Sequence, residues 1–265
     1  MGGTGAESAQ RANEWAVVTG ASGGIGRGFA ERLARDGMNV LLVARSARQL
    51  EELADELRTS HGVQVEVDVC DLADAADRGR LVASLADRPV GILVNNAGFN
   101  TVGDFVDADP ARMADEITLN CLAVTELARA VAPGMKQRGR GAIVNLASTA
   151  SFQPLPTMAV YAATKAYVRS WSEALWHELR PHGVTVQALC PGSTATRFWI
   201  EAGDDHVLTR RRTVEQVVDT SIRALKTGEP VVVDGLSNAV LARLAAFTPL
   251  RLKLPLARWT VSPRR

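Results

Sequence analysis

Two hydrophobic patterns alternate along the chain. Short runs rich in Val, Ile and Leu, largely apolar on both faces, occupy residues 16–19, 39–44, 63–69, 92–95, 142–146, 185–190 and 230–233. Runs of this kind predict strands of a parallel sheet covered on both sides. Between them, apolar positions recur at helical spacing over 25–36, 47–59, 74–85, 110–138, 157–180 and 213–226. Repeated strand-helix alternation implies right-handed βαβ units and an α/β fold built on a doubly wound parallel sheet of about seven strands. No linker or internal repeat divides residues 15–265, which read as one domain. Residues 1–14 are polar and Gly/Ala-rich; they read as a flexible segment and carry no signal-peptide pattern.

Composition narrows the function. The chain has 265 residues, 46 % hydrophobic and 22 % charged, the balance of a soluble globular enzyme. Its net charge of +1 argues against a nucleic-acid binder, which needs a clustered basic face. Cys70, Cys121 and Cys190 lie far apart in apolar runs and read as buried, reduced thiols of a cytoplasmic protein. No metal-ligand spacing joins them to His61, His177, His182 or His206. No run approaches the ~20 apolar residues of a membrane span.

The first strand runs into Thr19-Gly20-Ala21-Ser22-Gly23-Gly24-Ile25-Gly26, and a helix follows. Glycines let a backbone approach a pyrophosphate, and the helix N-terminus offers free N–H groups and a positive dipole. Gly20, Gly24 and Gly26 fit one dinucleotide spacing; Gly20, Gly23 and Gly26 fit another, used by sugar-nucleotide epimerases. The same stretch also matches a hydrolase elbow with Ser22 as nucleophile, but the last histidine, His206, sits in a polar loop. The second strand ends at Val43-Ala44-Arg45-Ser46. An acidic residue there would select NAD, whereas Arg45 suits the 2′-phosphate of NADP(H).

Tyr161 and Lys165 lie four residues apart in a helical segment, on the same face. A free phenol has a pKa of about 10. A neighbouring ammonium favours the phenolate, so the pair could exchange a proton with a substrate oxygen. Taken alone, the pair also reads as an ordinary surface contact.

Together these motifs resemble the single-domain short-chain dehydrogenase/reductase family over residues 15–198. The resemblance rests on Thr19-Gly20-x-x-x-Gly24-Ile25-Gly26, Asp68-Val69-Cys70-Asp71, Asn95-Asn96-Ala97-Gly98, Asn120, Ser148, Tyr161-x-x-x-Lys165 and Pro191-Gly192-x-x-x-Thr196, in that order. It implies a Rossmann-type fold and an oxidoreductase interconverting a carbonyl and an alcohol with NADP(H). Tyr161 would be the general acid, Lys165 would tune it and hold the nicotinamide ribose, Ser148 would position the substrate oxygen, and Asn120 would hold a water of a proton relay. Gly20, Ser22, Gly24, Ile25 and Gly26 would form the phosphate turn. Asp71 and Leu72 would contact adenine, Asn96, Ala97 and Gly98 would floor the adenosine ribose, and Pro191, Gly192, Thr194 and Thr196 would clasp the carboxamide. Each also has a plainer reading, such as a helix cap for Asp71 or Thr196. A catalytically silent cofactor-binding protein and a sugar-nucleotide epimerase or dehydratase are the other readings.

Residues 193–212 are expected to cover the substrate, with Phe198 and Trp199 beside Phe152 and Leu155 suggesting a lipophilic one. Arg210, Arg211 and Arg212 could meet an anionic group, although a solvated helix start fits them better. From 236 to 265 the tail is apolar and basic and departs from the family pattern; it looks like tails in reductases related to fatty-acid-elongation and D-alanyl-transfer operon proteins. It is expected to pack over the active site or a partner subunit, a membrane-surface role being the lesser alternative. The resemblance implies a homodimer or homotetramer formed through the 110–138 and 157–180 helices.

Overall fold

The computed structural model describes residues 14–194 and 212–261. In chain order the elements are β1 (Trp15–Thr19), α1 (Gly24–Arg35), β2 (Asn39–Ala44), α2 (Ala47–His61), β3 (Val65–Val69), α3 (Ala75–Ala86), β4 (Val90–Asn95), α4 (Pro110–Ile117), α5 (Val124–Arg138), β5 (Gly141–Leu146), α6 (Ala159–Leu179), β6 (Val184–Cys190), α7 (Val214–Thr227), β7 (Val231–Val233), α8 (Leu236–Phe247) and α9 (Leu250–Val261). The strands form one parallel sheet in the order β3-β2-β1-β4-β5-β6-β7. This is the Rossmann-type doubly wound sheet. The winding direction reverses between β1 and β4, and ligands of such sheets bind at that switch point, outside the carboxyl ends of the strands.

The sheet is apolar on both faces because both are covered. All five residues of β1 are buried. On one face, Phe29 and Leu33 of α1, Leu50, Leu53 and Leu57 of α2, and Val217, Val218 and Ile222 of α7 form one core. On the other, Leu81 and Leu85 of α3, Leu127, Val131 and Met135 of α5, and Trp171 and Leu175 of α6 form the second.

Four sequence expectations change. Strand β3 is the sheet edge, with Glu66 and Asp68 paired to Arg88 and Arg80. Such charges blunt an edge against unwanted pairing. The 110–138 helix is interrupted: Thr118–Ala123 widens into a π-helical turn between α4 and α5. Helix α6 begins at Ala159 rather than 157, because Thr157 has φ +69° and lies outside helical space. Glu14, assigned to the flexible segment, is buried and paired with Arg140 at 3.0 Å. Residues 1–13 lie outside the described residues.

Candidate active site

The loops after β1 and β4 meet at the switch point through one side chain. Thr19 Oγ1 accepts from the N–H groups of Asn96 and Ala97, each at 3.0 Å, and donates to the Val94 carbonyl at 3.3 Å. The Asn96 amide in turn donates to the carbonyls of Thr19 and Gly20. Gly20 and Gly24 occupy left-handed backbone space, φ +64° and +55°. A Cβ on Gly20 would stand 2.7 Å from Asn96 Nδ2, and one on Gly26 would collide with the Gly20 carbonyl. Gly23 is extended, with open space around it. The Gly20/Gly24/Gly26 spacing is therefore the one the backbone requires. The turn delivers an α1 N-terminus with no side-chain cap and no acid in its first turn. Its free N–H groups suit a diphosphate.

A groove of about 940 Å³ runs along this edge. Gly20, Ser22, Gly24, Ile25, Arg45, Asp71, Leu72, Asn96, Ala97, Gly98, Ser148, Tyr161, Lys165, Pro191, Gly192 and Thr194 all line it. Gly26 packs behind the turn, and Thr196 lies outside the described residues. Arg45 is exposed at the groove, and no carboxylate pairs with it among the described residues. Asp71 is not the helix cap of its plainer reading: the cap of α3 is Asp74, while Asp71 accepts from the Ala73 N–H and faces the groove. Pro191 accepts from the Thr149 N–H, and Thr194 donates to the Gly192 carbonyl, which fixes the far wall.

Ser148, Tyr161 and Lys165 converge at the inner end. They are 8 %, 5 % and 6 % exposed. Ser148 caps a short 3₁₀ turn by accepting from the Ala150 N–H, and it also hydrogen-bonds the Tyr161 phenol. Lys165 donates to the Leu146 carbonyl at 2.7 Å, with its nitrogen 5.7 Å from the centroid of the Tyr161 ring. Burial pushes the phenol up to about 12, against the pull of Ser148 and with a small upward push from the Glu116 charge. Burial also lowers Lys165 to about 8, with Cys121, Glu116 and Cys190 acting the other way. The phenol pKa is therefore raised, not depressed as the spacing suggested, because desolvation of the phenolate prevails in a closed site.

Asn120 does not line the groove. It lies behind Gly98, where a Cβ would come 2.8 Å from its Oδ1 and 3.5 Å from Lys165 Nζ. Its carboxamide accepts from the Phe99 N–H at 3.2 Å and donates to the Phe99 carbonyl at 2.9 Å and to Thr164 Oγ1 at 3.1 Å. Its side chain does not bond its own helix; the π-helical turn presents it to the β4 loop.

Other expectations shift. Arg212 forms a bidentate pair with fully buried Asp234, each bond 2.9 Å, and bridges to Thr194. It ties Thr194 to Asp234 and is neither a solvated helix start nor a free anion contact; Arg210, Arg211, Phe198 and Trp199 lie outside the described residues. Phe152 stacks under Arg169 and packs on the β6 core instead of the groove. Leu155 joins Tyr161, Met158 and the tail residue Ala257 in one buried cluster, so the tail does reach the Tyr161 end of the groove. Cys121 is half-buried, while Cys70 and Cys190 are buried; all three are free thiols. His61, His177 and His182 are exposed, and no metal-binding cluster occurs among the described residues.

Sequence reasoning passed over Glu116. It is fully buried, and neither carboxylate oxygen completes a hydrogen bond. The Thr101 hydroxyl and N–H come near enough to pull its pKa down, but burial prevails and raises it. Arg78 was also missed: buried, it donates to the carbonyls of Leu72, Ala73 and Asp74 and pairs with Glu126, holding the loop after β3. The only advance signal for either was a charge at an apolar position of a helix.

This combination of fold, glycine turn and Ser-Tyr-Lys cluster defines an oxidoreductase class. Residues 14–206 match the short chain dehydrogenase family, and the chain belongs to it. The chain is 37 % identical over 190 residues to a very-long-chain 3-oxoacyl-CoA reductase of Bos taurus, covering 70 % of this chain and 61 % of that protein. It is 39 % identical over 177 residues to an Aspergillus fumigatus protein of the same name, covering 65 % of this chain and 51 % of the other. The chain thus spans about half the length of the curated relatives it matches. Among solved structures it is similar to a short-chain dehydrogenase from Sphingobium yanoikuyae in complex with NADPH, with TM-score 0.81, 38 % identity, and coverage of 89 % of this chain and 96 % of that one.

Proposed function

We propose that this protein is an NADP(H)-dependent reductase of a lipophilic ketone or aldehyde, or an oxidant of the corresponding alcohol. The observation that carries this reading is the burial of Ser148, Tyr161 and Lys165 together at the inner end of a groove whose outer end is an uncapped, glycine-turned helix N-terminus. When bound, NADP(H) supplies or accepts the hydride. Tyr161 gives the carbonyl oxygen its proton in reduction and takes it back in oxidation. Ser148 bonds that oxygen and holds it against the phenol. Lys165 holds the ribose hydroxyls and keeps a positive charge beside Tyr161. Asn120 acts from behind, fixing the Phe99 backbone and the end of α6 that carries Tyr161 and Lys165, and holding a water of the proton path. Asp71 and Leu72 would receive the adenine. Thr194, with Pro191 and Gly192, would clasp the carboxamide.

The exposed guanidinium of Arg45 supports NADP over NAD, since it offers an ionic partner to a 2′-phosphate. NADPH is also present in the Sphingobium structure. The names of the mammalian and fungal relatives support a 3-oxoacyl thioester among the substrates. Exposed Ile117, Leu122 and Tyr167 on the α4–α5 and α6 segments support a homo-oligomer through those helices. The free thiols support a reducing, cytoplasmic setting. Purified protein with NADPH and a panel of ketones and 3-oxoacyl thioesters tests the reading. Substrate-dependent NADPH oxidation is expected; cofactor binding without turnover on any carbonyl would favour the silent reading.

A further inference from the structure

Helix α8 is built inside out. Its small residues face the protein: Ala242 is buried, and Ala239 and Ala242 line a cavity of about 560 Å³ together with Phe152 and β7. Its large apolar residues face away. Leu236, Val240, Leu244 and Phe247 recur at helical spacing on one face and are 84 %, 48 %, 59 % and 88 % exposed. Leu241 beside them, and Leu250 and Leu252 at the start of α9, extend the apolar surface. A helix of a water-soluble domain turns such a stripe to its core. Contiguous exposure on this scale marks a surface that something else covers.

Charge says what covers it. Of the chain's 30 Lys+Arg and 29 Asp+Glu, six basic residues and no acidic one follow Asp234. The preceding part therefore carries 24 basic and 29 acidic side chains. Arg243 and Arg251 stand exposed among the leucines. A second copy seated on the same face through a two-fold axis would bring these cations against one another, which disfavours self-association there. Leucine and phenylalanine on one face, flanked by arginine and lysine, are the composition of a helix that lies in the interface of an anionic bilayer. No helix among the described residues is long and apolar enough to cross a membrane, so the contact is with the surface.

We propose that α8 and the start of α9 seat this protein on an anionic lipid surface. Helix α9, whose start carries Leu250 and Leu252, also contributes Ala257 to the buried cluster that contains Tyr161. Membrane seat and catalytic end therefore share one element, a useful arrangement for an enzyme whose substrate partitions into lipid.

Flotation of the full chain with vesicles tests this. The protein is expected to float with phosphatidylglycerol-containing vesicles, to stay behind with pure phosphatidylcholine, and to be released by salt. Removing Arg251 and Lys253 as R251Q and K253Q should each weaken binding about fivefold. The pair L244Q/F247Q, at exposed positions, should abolish flotation while leaving NADPH binding and the circular dichroism spectrum unchanged. Failure to bind any vesicle would overturn the proposal, as would equal binding to neutral and anionic ones. A concentration-dependent dimer that L244Q/F247Q dissociates, without vesicle binding, would assign the face to a second copy and overturn it too.

Discussion

Lys165 donates to the carbonyl of Leu146 at 2.7 Å, which anchors helix α6 to the carboxyl end of β5. Tyr161 and Lys165 share one helix face, so the same bond also fixes where the phenol stands. Burial holds the ammonium at about 8. Below that pH it is charged and can bond a ribose; above it the charge is lost. Affinity for NADPH is therefore expected to fall as pH rises through about 8, and Lys165→Met should lose both the affinity and this pH dependence. Isothermal titration across pH 6–10 in about half-unit steps reads both.

Asn120 and Phe99 exchange two hydrogen bonds, so removing the amide strands buried partners. Each unsatisfied buried group costs about 1–3 kcal/mol. Asn120→Leu is expected to lower kcat about tenfold or more and to destabilise the fold by about 2 kcal/mol, seen in steady-state kinetics and urea melts. Asn120→Ser, which keeps a small polar group, should recover part of both.

Glu116 provides a stability test with a defined sign. Its folded pKa is raised, so the folded state binds more protons than the unfolded one above the ordinary glutamate value of 4.5. The stability tied to this group is fully present below that pH and is lost as pH rises through the folded pKa. Glu116→Gln removes the titration. The variant should match the parent near pH 4.5 and exceed it at pH 8, with each kcal/mol appearing as about 2–4 °C in Tm. Differential scanning calorimetry at the two pH values checks it.

Among the described residues no carboxylate pairs with Arg45 at the groove. Arg45→Asp places a carboxylate where a 2′-phosphate would bind and where a 2′-hydroxyl could be accepted. KM for NADPH should rise about tenfold to a hundredfold, as expected for a lost charge-assisted bond, while KM for NADH falls. Unchanged values for both cofactors would make Arg45 a bystander.

Most of this architecture was legible in the sequence because parallel-sheet strands and their crossover helices carry strong, distinct periods. The ends of elements were less so. Thr157 breaks α6 through its backbone angle, which composition does not encode, and the π-helical turn around Asn120 leaves the helical period nearly intact. The site was legible where chemistry forces residue type, as at Gly20, Gly26 and the Tyr161–Lys165 pair. It was illegible where a side chain acts through tertiary contact. Glu116 showed only as a charge at an apolar helical position until α4 packed against the β4 loop, and Arg212 looks solvated until Asp234 is placed beside it. Desolvation of Tyr161 likewise follows from packing, which is why local spacing suggested a lowered phenol pKa and the folded site raises it.

The most direct test of the whole account is turnover by Tyr161→Phe. The variant keeps the ring and its packing with Leu155 and Met158 and loses only the hydroxyl. NADPH binding should stay within about twofold, while kcat for carbonyl reduction falls by about 10²–10⁴, the usual contribution of a positioned general acid. Turnover at the parent rate, with binding intact, would contradict the assignment of Tyr161 as the proton donor and with it the proposed reaction.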